Sequence, residues 1–156
     1  HEPHMRGIIP LDAFRVSKNL AREFRSGKFD YIIDRNFEAV MRACASRDET
    51  WISEEIIDVY QALHEMGYAH SFEVWKDEKL VGGLYGVAMG RAFFGESMFH
   101  RVTNASKLAL VFLVEYLRQQ GFVLLDTQFQ TEHLAQFGAV EIPQAEYLQL
   151  LAEALA

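Results

Sequence analysis

Between His70 and Asp126 the spacing of apolar residues changes from a strand period to a helix period and back, which limits the chain to a few architectures. Phe72, Val74 and the run Leu80 to Met89 suit strands, and Lys76-Asp77-Glu78-Lys79 is the polar turn between them. Gly90 opens a second turn, and Arg91 to Phe99 reads as a third strand. Turns this short join antiparallel neighbours, so the three strands predict a meander. Ala105 to Gln120 then carries Leu108, Val111, Phe112 and Tyr116 on successive helical turns, stops at Gly121, and gives way to a strand from Phe122 to Asp126. A strand, a helix and a returning strand require a right-handed crossover, which places the last strand parallel to a member of the meander. The expected class is α+β, with a mixed, mainly antiparallel sheet flanked by helices.

The flanking segments fit around this centre. Ser17 caps a predicted helix running to Ser26, Asp30 to Asp34 reads as a strand, and Asn36 caps a helix bearing Phe37, Val40, Met41 and Cys44. Ser53 starts a third helix with the stripe Ile56, Ile57, Tyr60 and Leu63, and Gly67 ends it. Beyond the crossover, His133 to Phe137 reads as one helical turn, Ala139 to Ile142 as a strand, and Pro143 as the start of a last helix through Leu151. With 156 residues, half of them hydrophobic, the chain can bury one sizeable core, so residues 6–156 are expected to form a single domain. His1 to Met5 reads as an expression remnant or disordered start. No stretch approaches the roughly 20 apolar residues of a membrane span and no signal-peptide pattern is present, which leads us to expect a cytoplasmic protein without membrane contact.

Charge bears on partners. The formal net charge of -7 repels polyanions, so any nucleic acid must meet a local basic patch. Arg15 precedes the first helix, Lys18, Arg22 and Arg25 share one of its faces, and Lys28 follows its end. Spacing alone leaves open whether that face is merely solvated. The single cysteine, Cys44, lies in a helical apolar pattern and reads as core. His1 and His4 have the spacing of weak metal ligands, but no cysteine or carboxylate cluster completes a site, so no metal is expected.

Two segments place polar groups inside apolar strands. Glu96 sits within Phe93-Phe94-Gly95-Glu96-Ser97-Met98-Phe99, where a carboxylate needs a partner or a ligand. Asp126 and Gln128, at the end of the crossover strand, are two apart and so share a face. Ligands of open sheets bind at such strand ends, although a satisfied polar pair at a sheet end fits the spacing equally well.

Several stretches resemble the leucyl/phenylalanyl-tRNA-protein transferase family. They include Leu63-His64-Glu65-Met66-Gly67-Tyr68-Ala69-His70-Ser71, Glu73-Val74-Trp75, Leu80-Val81-Gly82-Gly83-Leu84-Tyr85-Gly86, Gly95-Glu96-Ser97-Met98-Phe99, Leu125-Asp126-Thr127-Gln128 and Phe137-Gly138-Ala139-Val140-Glu141-Ile142-Pro143. The motifs run in the family's order from Arg6 onward. The resemblance implies a GNAT-like acyltransferase fold that transfers leucine or phenylalanine, and by shape methionine, from aminoacyl-tRNA to the N-terminal arginine or lysine of a protein. That transfer marks the acceptor as an N-degron substrate for degradation. It also implies that Asp126 and Gln128 form the catalytic pair and that Glu96 receives the acceptor. Trp51, Tyr60, Leu84, Phe93 and Leu113 match positions that help form the aminoacyl and adenosine pockets, and Arg15, Lys18 and Arg22 match the tRNA-facing surface. No metal or organic cofactor is implied. Members of the family usually carry an N-terminal segment ending in Phe-Pro-Trp that this sequence does not contain, and Gln144 stands where many have arginine. Two rival readings are a truncated binding homologue and an acyl-CoA N-acetyltransferase; against the latter, His100-Arg101-Val102-Thr103-Asn104 lacks the glycines of a pyrophosphate nest.

Overall fold

A computed structural model describes residues 5–46, 51–127 and 134–156. Its strands are β1 (Met5–Ile8), β2 (Asp30–Ile33), β3 (Ala69–Lys76), β4 (Lys79–Met89), β5 (Ala92–His100), β6 (Leu124–Thr127) and β7 (Val140–Pro143). The helices are α1 (Lys18–Arg25), α2 (Phe37–Ala45), α3 (Glu54–Glu65), α4 (Ala105–Gln119) and α5 (Gln144–Leu155), with 3-10 turns at Leu11–Ala13 and Ala135–Phe137. Ser17, Asn36 and Ser53 cap α1, α2 and α3 through their side chains, accepting from the backbone N–H groups of Leu20, Ala39 and Ile56.

The sheet has seven strands in the order β2-β3-β4-β5-β6-β1-β7. Every neighbouring pair is antiparallel except β5 and β6, which α4 joins as a parallel pair. The meander and crossover expected from the periodicity are both present. Gly82 is needed where α4 begins, because a Cβ there would run into the side chain and backbone of Ala105.

Helices cover both faces, and adjacent residues of one strand identify them. Leu84 packs in the core beneath α4 with Leu108, Leu113 and Leu117, whereas Tyr85 packs with Phe37, Met41, Cys44 and Ile57 of α2 and α3. Leu125 joins the α4 core, whereas Leu124 joins Tyr147 and Ala154 of α5. One face therefore carries α4 and α1, and the other carries α2 and α3 over one half and α5 over the rest. Cys44 is fully buried, as its helical position predicted.

Strand β1 is where the structure departs most from the sequence reading. Met5, assigned above to a disordered start, begins a strand inserted between β6 and β7. Four residues are too few to display a period, and Gly7 interrupts even those. The final helix also extends past Leu151 to Leu155. Of the helical turn expected from His133 to Phe137, Ala135–Phe137 is seen and His133 lies outside the described residues.

Candidate active site

The strip of sheet between α3 and α5 gathers the buried polar residues Ser97, Asp126 and Thr127. Ile8 of β1 is the register partner of Asp126, and Phe94 of β5 is its partner on the other side. Asp126 is 1% exposed, and a carboxylate so buried requires compensation. Arg6 supplies it: its Nη2 lies 2.8 Å from Asp126 Oδ2. The Tyr147 hydroxyl of α5 donates to the same oxygen. Arg6 is itself held by Tyr147, with Nη2 3.3 Å from the phenol oxygen and the guanidinium carbon 4.0 Å from the ring centre. Burial and the hydrogen bond to Asp126 push the Tyr147 phenol well above its ordinary range, so it remains a donor.

Glu96 occupies a bulge. Tyr85 pairs with Ser97 and Gly86 with Gly95, which leaves Glu96 as the extra residue of β5. At Gly86 a Cβ would collide with Phe94 O and the Phe93 ring. The bulge turns Glu96 toward α3, where the Tyr60 hydroxyl donates to its Oε1 at 2.7 Å. Burial raises the Glu96 pKa, Tyr60 partly opposes the rise, and the charge of Asp126 adds to it. The two carboxylates thus share one strip in unlike settings. Asp126 has a cation and Glu96 has only a phenol among the described residues. Next to Glu96, Ser97 is buried with its hydroxyl unpartnered among the described residues, and the Thr127 hydroxyl beside Asp126 is likewise. Each such group costs about 1–3 kcal/mol unless a ligand or water meets it.

Parallel pairing of β5 with β6 ends at Gly95 and Thr127, while β5 continues to His100. The strip lies at this end of the sheet, where the crossover begins. Helix α1 is fixed to the same end, because Asn104, which precedes α4, donates to Glu23 Oε1 at 3.0 Å. Arg15, Lys18 and Arg22 are exposed there, with Arg25 and Lys28.

The structure therefore brings Asp126, Glu96 and Tyr60 onto one face and α1 to the same end of the sheet. Trp51 is 45% exposed at the approach to α3. Leu84, Phe93 and Leu113 are placed elsewhere. They are at most 1% exposed in the core beneath α4, on the opposite face from Asp126. Gln128 lies outside the described residues. Arg6 and Tyr147 were missed by sequence reasoning, as was the bulge. A buried aspartate predicts a cationic partner, but nothing local to Asp126 says that it comes from a strand 120 residues earlier.

Another polar cluster lies at the far end of the sheet. Asp34, His64 and His70 place ligand-type atoms within 4.8 Å of one another, which is loosely suited to a metal ion. Their hydrogen bonds argue for protons instead. His70 Nδ1 is 2.6 Å from Asp34 Oδ2 and Nε2 is 3.0 Å from Gly67 O, so both nitrogens face acceptors and both donate. The hydrogen bond to Asp34 raises the His70 pKa accordingly.

Comparison with known proteins now decides the family. The profile described as leucyl/phenylalanyl-tRNA protein transferase matches residues 8–152. The chain belongs to that family. A leucyl/phenylalanyl-tRNA--protein transferase of Paramagnetospirillum magneticum is 61% identical over 159 residues, covering 99% of this chain and 76% of the relative. The corresponding protein of Rubrobacter xylanophilus is 59% identical, covering 96% of this chain and 79% of its own length. Membership makes this chain an aminoacyltransferase. Solved structures add the fold: L-PGS from Bacillus licheniformis superposes with a TM-score of 0.54 at 12% identity over 81% of this chain and 45% of its own. An aminoglycoside acetyltransferase, HMB0005, gives 0.51 at 14% identity over 66% and 80%. The fold is GNAT-like, as the family resemblance implied. The described residues contain no helix long and apolar enough to cross a membrane.

Proposed function

We propose that this aminoacyltransferase moves leucine or phenylalanine, and by shape methionine, from aminoacyl-tRNA to proteins beginning with arginine or lysine, marking them in the cytoplasm as N-degron substrates. The observation that carries the reading is the pair of unlike carboxylates on one strip, Asp126 paired with Arg6 and Glu96 held, among the described residues, by Tyr60.

Aminoacyl-tRNA is an activated ester. An α-amino group of pKa roughly 7.7–8.0 is partly neutral at cell pH, so no strong base is required. Its nitrogen lone pair attacks the ester carbonyl, a C–N bond forms, and the tetrahedral centre expels the ribose oxygen of the tRNA. The proton lost by the amine ends on that oxygen, so a peptide bond and free tRNA result. Holding the two groups in place supplies on the order of 7–11 kcal/mol of the barrier. The Gln128 side-chain oxygen accepts a hydrogen bond from the attacking amine, and Asp126 orients that amide. The buried Ser97 hydroxyl, beside the bulge, is available to the developing oxyanion.

Glu96 receives the cationic side chain of the acceptor. The guanidinium or ammonium supplies the charge that this carboxyl lacks and draws it into its ionised form. Trp51 and Tyr60 flank the aminoacyl and adenosine ends of the donor, with Leu84, Phe93 and Leu113 as the apolar packing behind that pocket. Arg15, Lys18 and Arg22 meet the tRNA backbone, a local patch acting against the negative charge of the whole chain.

The test is transfer of radiolabelled leucine from Leu-tRNA to an Arg-initiated peptide, by the native chain and by the double variant Asp126→Ala, Gln128→Ala. Transfer by the first alone supports the reading. Equal transfer by both removes the catalytic pair, and tRNA binding without transfer by either makes the chain a binding homologue.

A further inference from the structure

We propose that Arg6 and Tyr147 are positioning residues that hold Asp126 by one oxygen, Oδ2, and so turn Oδ1 toward the reacting groups. The proposal rests on the reading that Asp126 takes part in aminoacyl transfer.

Three elements far apart in sequence make the arrangement. Arg6 comes from β1, Asp126 from the end of β6 and Tyr147 from the first turns of α5. Both donors converge on Oδ2, Arg6 at 2.8 Å and the Tyr147 hydroxyl beside it. Oδ1 has no hydrogen-bond partner among the described residues. A carboxylate fixed by both oxygens would only brace the sheet; one fixed by a single oxygen keeps a second acceptor with a set direction. The triangle also closes, because Arg6 lies over the Tyr147 ring and contacts its hydroxyl. The Tyr147 ring is 1% exposed and packs with Ile8, Leu124 and Ala154, so its position is fixed by the core rather than by Asp126. Among the described residues the other charged group facing Asp126 is Glu96 of β5, whose own pKa is raised by burial and further by the Asp126 charge.

Tyr147→Phe separates this role from packing, since it deletes one oxygen and leaves the ring. For leucine transfer to an Arg-peptide, kcat is expected to fall about tenfold to a hundredfold with KM for both substrates changed less than about twofold. Arg6→Met should act likewise, and Arg6→Lys should restore part of the loss by returning the charge without the fork. A second readout does not need turnover. With side-chain carboxyls carrying 13C, the Asp126 resonance, assigned through Asp126→Asn, should be displaced at a fixed pH in Tyr147→Phe and in Arg6→Met, since each variant removes a hydrogen bond to Oδ2.

If Asp126→Asn transfers at the native rate, the functional reading of Asp126 fails, whatever the other variants do. If Asp126→Asn is inactive but Tyr147→Phe keeps the native kcat, that reading stands and the positioning proposal is overturned. An unmoved Asp126 resonance in both variants overturns it equally, in an active chain or an inactive one.

Discussion

Replacing Glu73 by Ala should cost more stability than most single polar changes among the described residues. Glu73 is fully buried on β3. Its Oε2 accepts from the Asn36 backbone N–H at 2.9 Å and the Ser71 hydroxyl at 2.6 Å, and its Oε1 accepts from Trp75 Nε1 at 2.8 Å. Asn36 caps α2, so this carboxylate joins the centre of the sheet to the helix that backs α3. Alanine would leave three donors without an acceptor, each worth about 1–3 kcal/mol. The Ser71 hydroxyl can rotate to a new acceptor, and Asn36 and Trp75 are near enough to solvent to admit water. A net loss of about 3–5 kcal/mol remains, near half the stability of an ordinary domain. At about 2–4 °C per kcal/mol for a chain of this size, the melting temperature should fall by about 6–20 °C. Glu73→Gln should lose less, because its amide oxygen still serves Asn36 and Ser71 while its NH2 meets the Trp75 N–H. Urea unfolding followed by circular dichroism gives the free energy, and scanning calorimetry gives the melting temperature. A Glu73→Ala loss below about 1 kcal/mol, or a Glu73→Gln loss as large, would refute the donor accounting.

Three further outcomes are expected. His70 has a raised pKa in the folded chain, so its contribution is complete below the unfolded value near 6.5 and is lost as pH rises through the folded value. The native unfolding free energy from urea titration should therefore drop above pH 6.5 relative to His70→Gln by about 1–2 kcal/mol, allowing for partial exposure, and parallel pH profiles would count against the ion pair with Asp34. Glu96→Gln should lower kcat/KM for Arg-initiated peptides by about thirtyfold with donor binding intact, and an unchanged value would remove Glu96 from the acceptor site. Changing Arg15, Lys18 and Arg22 together to Ser should reduce the steepness of the salt dependence of tRNA binding by about 2 to 3 in a log–log plot, and an identical slope would place the tRNA elsewhere.

What could be read in advance follows the range of the interactions. The caps Ser17, Asn36 and Ser53 and the Gly67 and Gly121 stops act over a few residues, so the chain states them directly. The meander and crossover follow from period and handedness. Glu96 and Asp126 were visible as polar residues in apolar strands, and their unlike environments were not. Those depend on Tyr60, Arg6 and Tyr147, which arrive from 36, 120 and 21 residues away. The bulge was hidden because one unpaired residue leaves the apolar pattern of β5 nearly intact. Leu84, Phe93 and Leu113 show the converse limit, since a family match places a residue in sequence without saying which face of the sheet it occupies.

The insertion of β1 between β6 and β7 governs the order in which the parts can assemble. The meander and α4 need only neighbouring segments and can close early, since short loops cost little entropy to form. The pairing of Arg6 with Asp126 spans 120 residues and waits for β6, and the contacts of both with Tyr147 wait until α5 exists and has folded back, 141 residues from Arg6. A chain still being synthesised, or nicked in the segment before α5, would hold most of its hydrogen-bonded sheet while its central aspartate lacked the Tyr147 hydroxyl that completes its setting. Chemical competence would then arrive as the last event of folding, all at once, in a molecule already compact.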